Sequence, residues 1–328
     1  MPQLDTLSDI CAGVSSELSD VSARLADSMS ECFTLLGDGA YGTDMLQGKL
    51  IRPALVLMCG KLFDDDVSAL VNLATASELV HTATLIHDDV VDSAEMRRGG
   101  PSVNVRWDDK SAVLCGDRIV CEGLLLLSEY DSIKATETML AALKRVVQGE
   151  MRQLRPNRML DESTCIETAR EKTGSLMSAV CRLPAMWFRA DAERVESLTR
   201  FGEHFGVAFQ IVDDLLDLTG EKLTLGKMPL SDIRNGKRTL PLVYLRDSTQ
   251  DDGELERRFS ELISAEQPQD SEVAWLSELM QESGCAERTI ESASGYATQA
   301  GRCLKVFADS AAKDGLLNLL DFVIHRRS

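Results

Sequence analysis

The chain has 328 residues, 44% of them hydrophobic and 27% charged, a globular composition with room for one large domain or two ordinary ones. Its formal charge of −18 and pI near 4.7 argue against nonspecific attraction to nucleic acid or anionic lipid. Nine scattered cysteines without a C-x-x-C pair argue against a disulfide framework or a zinc site, and for a reducing, cytoplasmic setting.

The first residues, "MPQLDTLSDICAGVSSELSD", are acidic and show no basic region ahead of an apolar core, so no signal peptide is expected. Eight prolines leave long intervals with 3.6-residue periodicity, such as "ALVNLATASELVHTATLIHDDVVD" and "TRFGEHFGVAFQIVDDLLDLTG". Alternating strand patterns are missing and aromatics are only 5%, so the chain is predicted to be all-α. No apolar run approaches the length of a membrane span; "LLLL" at Leu124 to Leu127 is bounded by Glu122 and Glu129. No low-complexity linker divides the sequence, and one domain over 1–328 is expected. Residues 247–270, "DSTQDDGELERRFSELISAEQPQD", form its charged surface insertion.

The first chemical signal is "LIHDDVVDSAEMRRGG". In a helix Asp88 and Asp92 stand one turn apart on one face with Asp89 beside them. Like charges so close require a cation, and a hard divalent metal such as Mg²⁺ suits carboxylate oxygens. "FQIVDDLLDLTG" repeats the D-D-x-x-D pattern at Asp213, Asp214 and Asp217, again inside an apolar helix where uncompensated carboxylates are costly. One copy in an acidic chain reads equally well as a solvated face; two copies point to a site. Cations fall where Gly and Pro break the helices: Lys49 and Arg52 in "GKLIRP", Arg97 and Arg98 in "MRRGG", Lys172 in "EKTGSL", Lys227 in "LGKMP", Lys237 and Arg238 in "RNGKRTLP". Two acidic clusters ringed by Lys and Arg describe a site for metal-bound diphosphates.

The ordered motifs "GKLIRP", "HTATLIHDDVVDSAEMRRGGPSVN", "GD" at Gly116–Asp117, "GEMRQL", "EKTGSL", "FGVAFQIVDDLLD" and "GKRTLPL" resemble those of the trans-isoprenyl diphosphate synthases, and among them the octaprenyl-type long-chain enzymes. The resemblance runs from about Gly48 to Leu242. It implies a single-domain helical bundle around a deep central cavity, a homodimer, and three Mg²⁺ ions. It implies Asp88, Asp92 and Asp213 as direct metal ligands, with Asp89, Asp214 and Asp217 in or near the coordination shells. Arg97, Lys172, Lys227 and Lys237 would hold an allylic diphosphate; Lys49, Arg52, His81 and Arg98 would hold isopentenyl diphosphate; Thr173 and Gln210 would line the reaction centre. Two departures concern loop geometry and affinity: Gly100 replaces a frequent lysine, and Leu230-Ser231 stands where a glycine is usual.

The implied reaction is ionisation of an allylic diphosphate, farnesyl diphosphate being the expected primer. Attack by isopentenyl diphosphate and loss of a proton follow, and the product passes to the membrane. Of four histidines His81 is the ligand candidate, while His87 is suited to orienting a neighbouring carboxylate. A class I terpene cyclase is disfavoured by the all-aspartate second motif, a membrane prenyltransferase by the lack of spans, and a regulatory subunit by the intact motifs. A short-chain farnesyl or geranylgeranyl synthase remains the alternative. Against it, Ala83 and Thr84, five and four residues before Asp88, are small, with Ala76 and Ser77 below them and Leu73 the first bulky residue. Ile119 and Leu124 to Leu127 are the expected opposite wall. At about 5.4 Å per turn, near one isoprene unit, a product of about seven to nine units is expected, for a quinone side chain.

Overall fold

The computed structural model describes residues 6–44, 48–130, 133–154, 161–219, 231–265 and 269–326. Among these the chain is all-α apart from one small hairpin. In the first half α1 (Leu7–Ile10), α2 (Ser15–Thr34), α3 (Gly39–Asp44), α4 (Ile51–Gly60) and α5 (Val71–Val91) precede the hairpin strands β1 (Met96–Arg97) and β2 (Gly100–Pro101). Then come α6 (Val103–Arg106), α7 (Asp109–Ser128) and α8 (Ile133–Gln153). The second half holds α9 (Glu162–Ala169), α10 (Ser175–Trp187), α11 (Ala192–Thr219), α12 (Ser231–Arg234), α13 (Leu240–Thr249), α14 (Gly253–Ser264), α15 (Asp270–Glu282), α16 (Cys285–Cys303) and α17 (Ala311–His325).

Helix starts are written locally. Asp108, Asp161, Asp252 and Ser310 each accept a backbone N–H of the helix they open, for α7, α9, α14 and α17. α2 buries Val21, Leu25, Met29 and Cys32, a stripe at helical spacing. Two apolar cores result. The larger joins α2, α4, α5, α7 and α10; the smaller gathers the C-terminal half of α11 with α13, α14 and α16. The charged 247–270 segment contributes Phe259, Leu262 and Ile263 of α14 to that smaller core.

α5 is unusual in being buried on almost every side. With its preceding turn it forms the stretch Ser68–Val91, which by length and composition is apolar enough to cross a membrane. Small polar residues such as Thr75, Ser77 and Thr82 interrupt the stretch, so no continuous apolar run of that length exists. They are buried, and 72% of the apolar window lies inside the protein, as in a core helix.

α10 and α11 cross very closely because glycines meet there. A Cβ on Gly206 would stand 2.7 Å from Gly174 Cα, and one on Gly202 would stand 2.2 Å from the Met177 carbonyl oxygen. Between α9 and α10 the backbone makes a π-helical turn, Arg170–Gly174. Such a turn holds one residue more than an α turn and is frequent at functional sites. Here it carries Lys172 and Thr173.

Candidate active site

Both aspartate motifs lie at the C-terminal ends of long helices. α5 stops at Val91 because Asp92 caps it and Ser93 turns into the left-handed region, φ 49°, with Ala94 N–H returning to the Asp89 carbonyl at 2.8 Å. Asp213, Asp214 and Asp217 occupy the last two turns of α11. Helix C-termini carry partial negative charge, so carboxylates there add to an unfavourable field that only cations relieve. Both ends open into one cavity of about 420 Å³, lined by Asp88, Asp92, Asp213, Asp214 and Asp217.

The cations are in place. Lys237 Nζ lies 2.6 Å from Asp92 and 3.4 Å from Asp232, tying the end of α5 to the segment after α11. Asp232 N–H in turn donates to Asp217 at 3.0 Å. Burial opposes the charge on Lys237, yet Asp232 and Asp92 outweigh it and hold the ammonium firmly protonated. Lys172 pairs with Glu150 and reaches Gln153 at 3.4 Å; burial again opposes its charge, and Glu150 and Asp88 prevail. Burial pushes the Asp88 carboxyl up to about 6, with Glu150 and Asp92 adding to the rise against Lys172 and Lys237. Burial, with Asp232 nearby, also raises Asp214, against the 2.7 Å hydrogen bond from Gln210 Nε2. Thr173 Oγ1 donates to Gln210, so the π turn and Asp214 share one hydrogen-bonded chain.

A second group of basic side chains, Lys49, Arg52, His81 and Arg98, also lines the cavity. The hairpin delivers the arginines. Met96 pairs with Pro101 and Arg97 with Gly100, and both turn residues, Arg98 (φ 50°) and Gly99 (φ 82°), are left-handed, as a two-residue hairpin turn requires. A left-handed Arg98 is strained, and Leu50 (φ 48°), between Lys49 and Arg52, is strained as well. Gly48 leaves room for the Arg98 guanidinium, which would stand 2.9 Å from a Cβ there. Burial, with Arg52, Arg98 and Arg97 nearby, drives the His81 pKa well below the ordinary histidine value, so this imidazole is neutral.

Two expected site residues, Asp89 and Ala83, sit differently. Asp89 is fully buried and does not line the cavity; it takes the Arg97 guanidinium, with Nε at 2.9 and 3.1 Å from its two oxygens. Thr84 lines the cavity, whereas Ala83 is fully buried in the larger core. Five residues is about 140° around a helix from Asp88, and four residues about 40°. No residue of α7 lines the cavity; its apolar wall comes from Leu85, Val146, Leu176, Ile51 and Phe209. Lys227 lies outside the described residues. His87 faces α7, 3.2 Å from the Val113 carbonyl and 3.5 Å from Asp117, over Gly116, whose Cβ would strike the ring.

Sequence reading missed Glu78, Glu150, Asp232 and Arg326, all of which line the cavity. Arg326, just beyond α17, lies 2.7 Å from Asp213 and stacks 3.9 Å over Phe209. Glu78 could have been found, since 78, 81, 85, 88 and 92 form a single helical stripe. Glu150 stands in the "GEMRQL" motif, quoted without a role. Nothing local marks Arg326.

The Polyprenyl synthetase family model matches residues 40–280. A nonaprenyl diphosphate synthase of Mycobacterium tuberculosis is 33% identical over 314 residues, covering 94% of this chain and 90% of that protein. A decaprenyl-diphosphate synthase of Dictyostelium discoideum is 35% identical over 86% of this chain, which spans 60% of that longer protein. The solved polyprenyl synthase of Caulobacter crescentus, complexed with calcium and isoprenyl diphosphate, superimposes with a TM-score of 0.91 at 28% identity, each chain covered completely. An all-α bundle with these relatives is a prenyltransferase. The chain belongs to the polyprenyl synthetase family, among its long-chain trans-polyprenyl diphosphate synthases.

Proposed function

We propose that the chain adds isopentenyl diphosphate head-to-tail to an allylic diphosphate, farnesyl diphosphate being the primer, and stops at about seven to nine isoprene units. The observation that carries this reading is that two carboxylate-bearing helix ends line one cavity together with a basic cluster of Lys49, Arg52, His81 and Arg98. That arrangement offers one place for a leaving diphosphate and another for a donor diphosphate.

The donor set fits a hard divalent metal, since every candidate ligand is a carboxylate oxygen and the helix ends add negative field. Among the described residues no three such groups are drawn together as a ready-made site, and Lys237 and Arg326 pair with Asp92 and Asp213. Asp88, Asp92 and Asp213 would hold Mg²⁺, three ions per site, with Asp214 and Asp217 beside them; bound metal would neutralise the leaving diphosphate. Lys172 and Lys237, with Lys227, bind the allylic diphosphate. Asp89 fixes Arg97 and through it the hairpin. Lys49, Arg52, Arg98 and the neutral His81 orient isopentenyl diphosphate so that its double bond faces the allylic carbon. Thr173 and Gln210 lie beside the cationic carbon and help exclude water. The proton lost from the new bond goes to the departing diphosphate. The elongating chain passes Thr84, behind which Ala83 is packed in the core.

The working unit is a cytoplasmic homodimer whose product moves to the membrane. Leu114 and Leu125 of α7 are 68% and 62% exposed, and α8 exposes Ile133, Leu140 and Val147 at a seven-residue repeat. An apolar stripe of that period suits a second helical face. Light scattering that shows an active monomer contradicts the dimer.

Mg²⁺, radiolabelled isopentenyl diphosphate and farnesyl diphosphate, followed by chromatography of the dephosphorylated products, test the whole reading. Incorporation into long chains is expected, and chelation should abolish it. No incorporation with either condition overturns the reading, and products of only three or four units overturn the assigned length.

A further inference from the structure

Glu78 faces the donor wall from about three turns below Asp88 on α5. It is 3% exposed, its carboxylate lies 4.0 Å from Arg98, and one of its oxygens, Oε2, is enclosed without a hydrogen-bond partner. Arg52 Nε is likewise enclosed and unpartnered. For both guanidiniums burial works against the charge, and Glu78 is the strongest attraction opposing it. So one imperfectly satisfied carboxylate is embedded in a wall built for anions. Buried charge without full hydrogen bonding is expensive, and such arrangements persist where they serve a function.

The chemistry of chain growth gives it one. In head-to-tail addition the new allylic chain keeps the diphosphate that arrived with the donor. That diphosphate leaves the cation wall for the carboxylate-lined side before the next cycle. A wall that grips too tightly stalls growth.

We propose that Glu78 is a positioning residue that sets the grip of the donor subsite. It neutralises Arg52 and Arg98 while the subsite is empty and repels the diphosphate once it is bound. The inference rests on the assignment of the Lys49, Arg52, His81 and Arg98 wall to isopentenyl diphosphate.

The test is Glu78→Gln in the full chain, which keeps shape and removes charge. Calorimetry with isopentenyl diphosphate alone is expected to show affinity about tenfold tighter than wild type, the scale of one like charge removed from a partly buried anion site. Turnover should fall while KM for isopentenyl diphosphate falls with it, and short intermediates should accumulate. The melting temperature of the free variant should drop and be restored by inorganic pyrophosphate, which supplies the missing negative charge. Glu78→Asp, which keeps the charge, should bind within about twofold of wild type. A merely structural role would lower melting temperature and weaken binding together. Unchanged or weaker binding by Glu78→Gln, or no restoration by pyrophosphate, overturns the proposal while leaving the subsite standing. Wild-type protein that fails to bind isopentenyl diphosphate overturns the subsite assignment, and this inference with it.

Discussion

Gly206→Ala is the smallest change that should separate catalysis from stability. The added methyl carbon would stand 2.7 Å from Gly174 Cα, 2.9 Å from Gly174 N and 3.0 Å from the Thr173 carbonyl oxygen. All three are backbone atoms, so no rotamer change relieves the contact. Ordinary contact begins near 3.4 Å, so α11 and the π turn must part by about 0.7 Å. Overpacking of this kind costs about 1–3 kcal/mol, and the better helix propensity of alanine returns up to about 1 kcal/mol. The net loss of stability is therefore modest, a few degrees of melting temperature at most. Activity should suffer more, because the displaced turn carries Lys172 and Thr173, and a misplacement near 1 Å costs about 10²-fold in rate. Steady-state kinetics is expected to show kcat reduced about ten- to a hundredfold in a protein that still melts cooperatively. Gly295→Ala in α16 is the control: nothing lies within 4 Å of its Cβ, so stability should rise by up to about 1 kcal/mol with turnover unchanged. Wild-type kcat in Gly206→Ala would refute the claim that this crossing positions the reaction centre.

Asp88→Ala and Asp213→Ala should each lower turnover by about 10³-fold or more with circular dichroism unchanged, and near-normal turnover in either would exclude a two-cluster metal site. Arg98→Ala should raise KM for isopentenyl diphosphate above all, and Lys172→Ala that for the allylic partner; equal effects on both substrates would erase the distinction between the two walls. Thr84→Phe should shorten the product by several isoprene units, read by chromatography, and an unchanged length would move the floor elsewhere. The Asp88 carboxyl titrates at about 6 in the fold against 3.8 in the open chain, so its contribution to stability is full below 3.8 and lost as pH rises through about 6. Metal-free protein should therefore lose melting temperature across that window, a divalent ion should restore it above about pH 6, and the ion concentration for half-maximal activity should climb below it. A flat melting profile from pH 4 to 7 without metal would contradict the Asp88 environment.

The parts of the site that were legible in sequence are those that share one helix face. Asp88 with Asp92, and Asp213 with Asp217, follow from spacing alone, as does the all-α class. What escaped depends on direction or on distance along the chain. Asp89 is adjacent to Asp88 but points a different way around α5, so it meets Arg97 rather than the cavity. Ala83 and Thr84 are neighbours that part company for the same reason. The hairpin escaped because it is two residues per strand, too short for alternation to register, and its turn uses arginine where asparagine is usual. Arg326 stands 113 positions from Asp213, and no local pattern announces a contact at that separation.

The ion pairs of Lys237 with Asp92 and of Arg326 with Asp213 make the resting cavity resemble a loaded ion exchanger. A divalent ion that takes those carboxylates sets free an ammonium and a guanidinium whose side chains are 14% and 5% exposed. Cations so sheltered from water need a new counterion, and a diphosphate provides it. Metal alone therefore loads against resistance, and so does diphosphate alone. The two load best together, each relieving the charge that the other exposes, which makes substrate and metal each other's condition for entry.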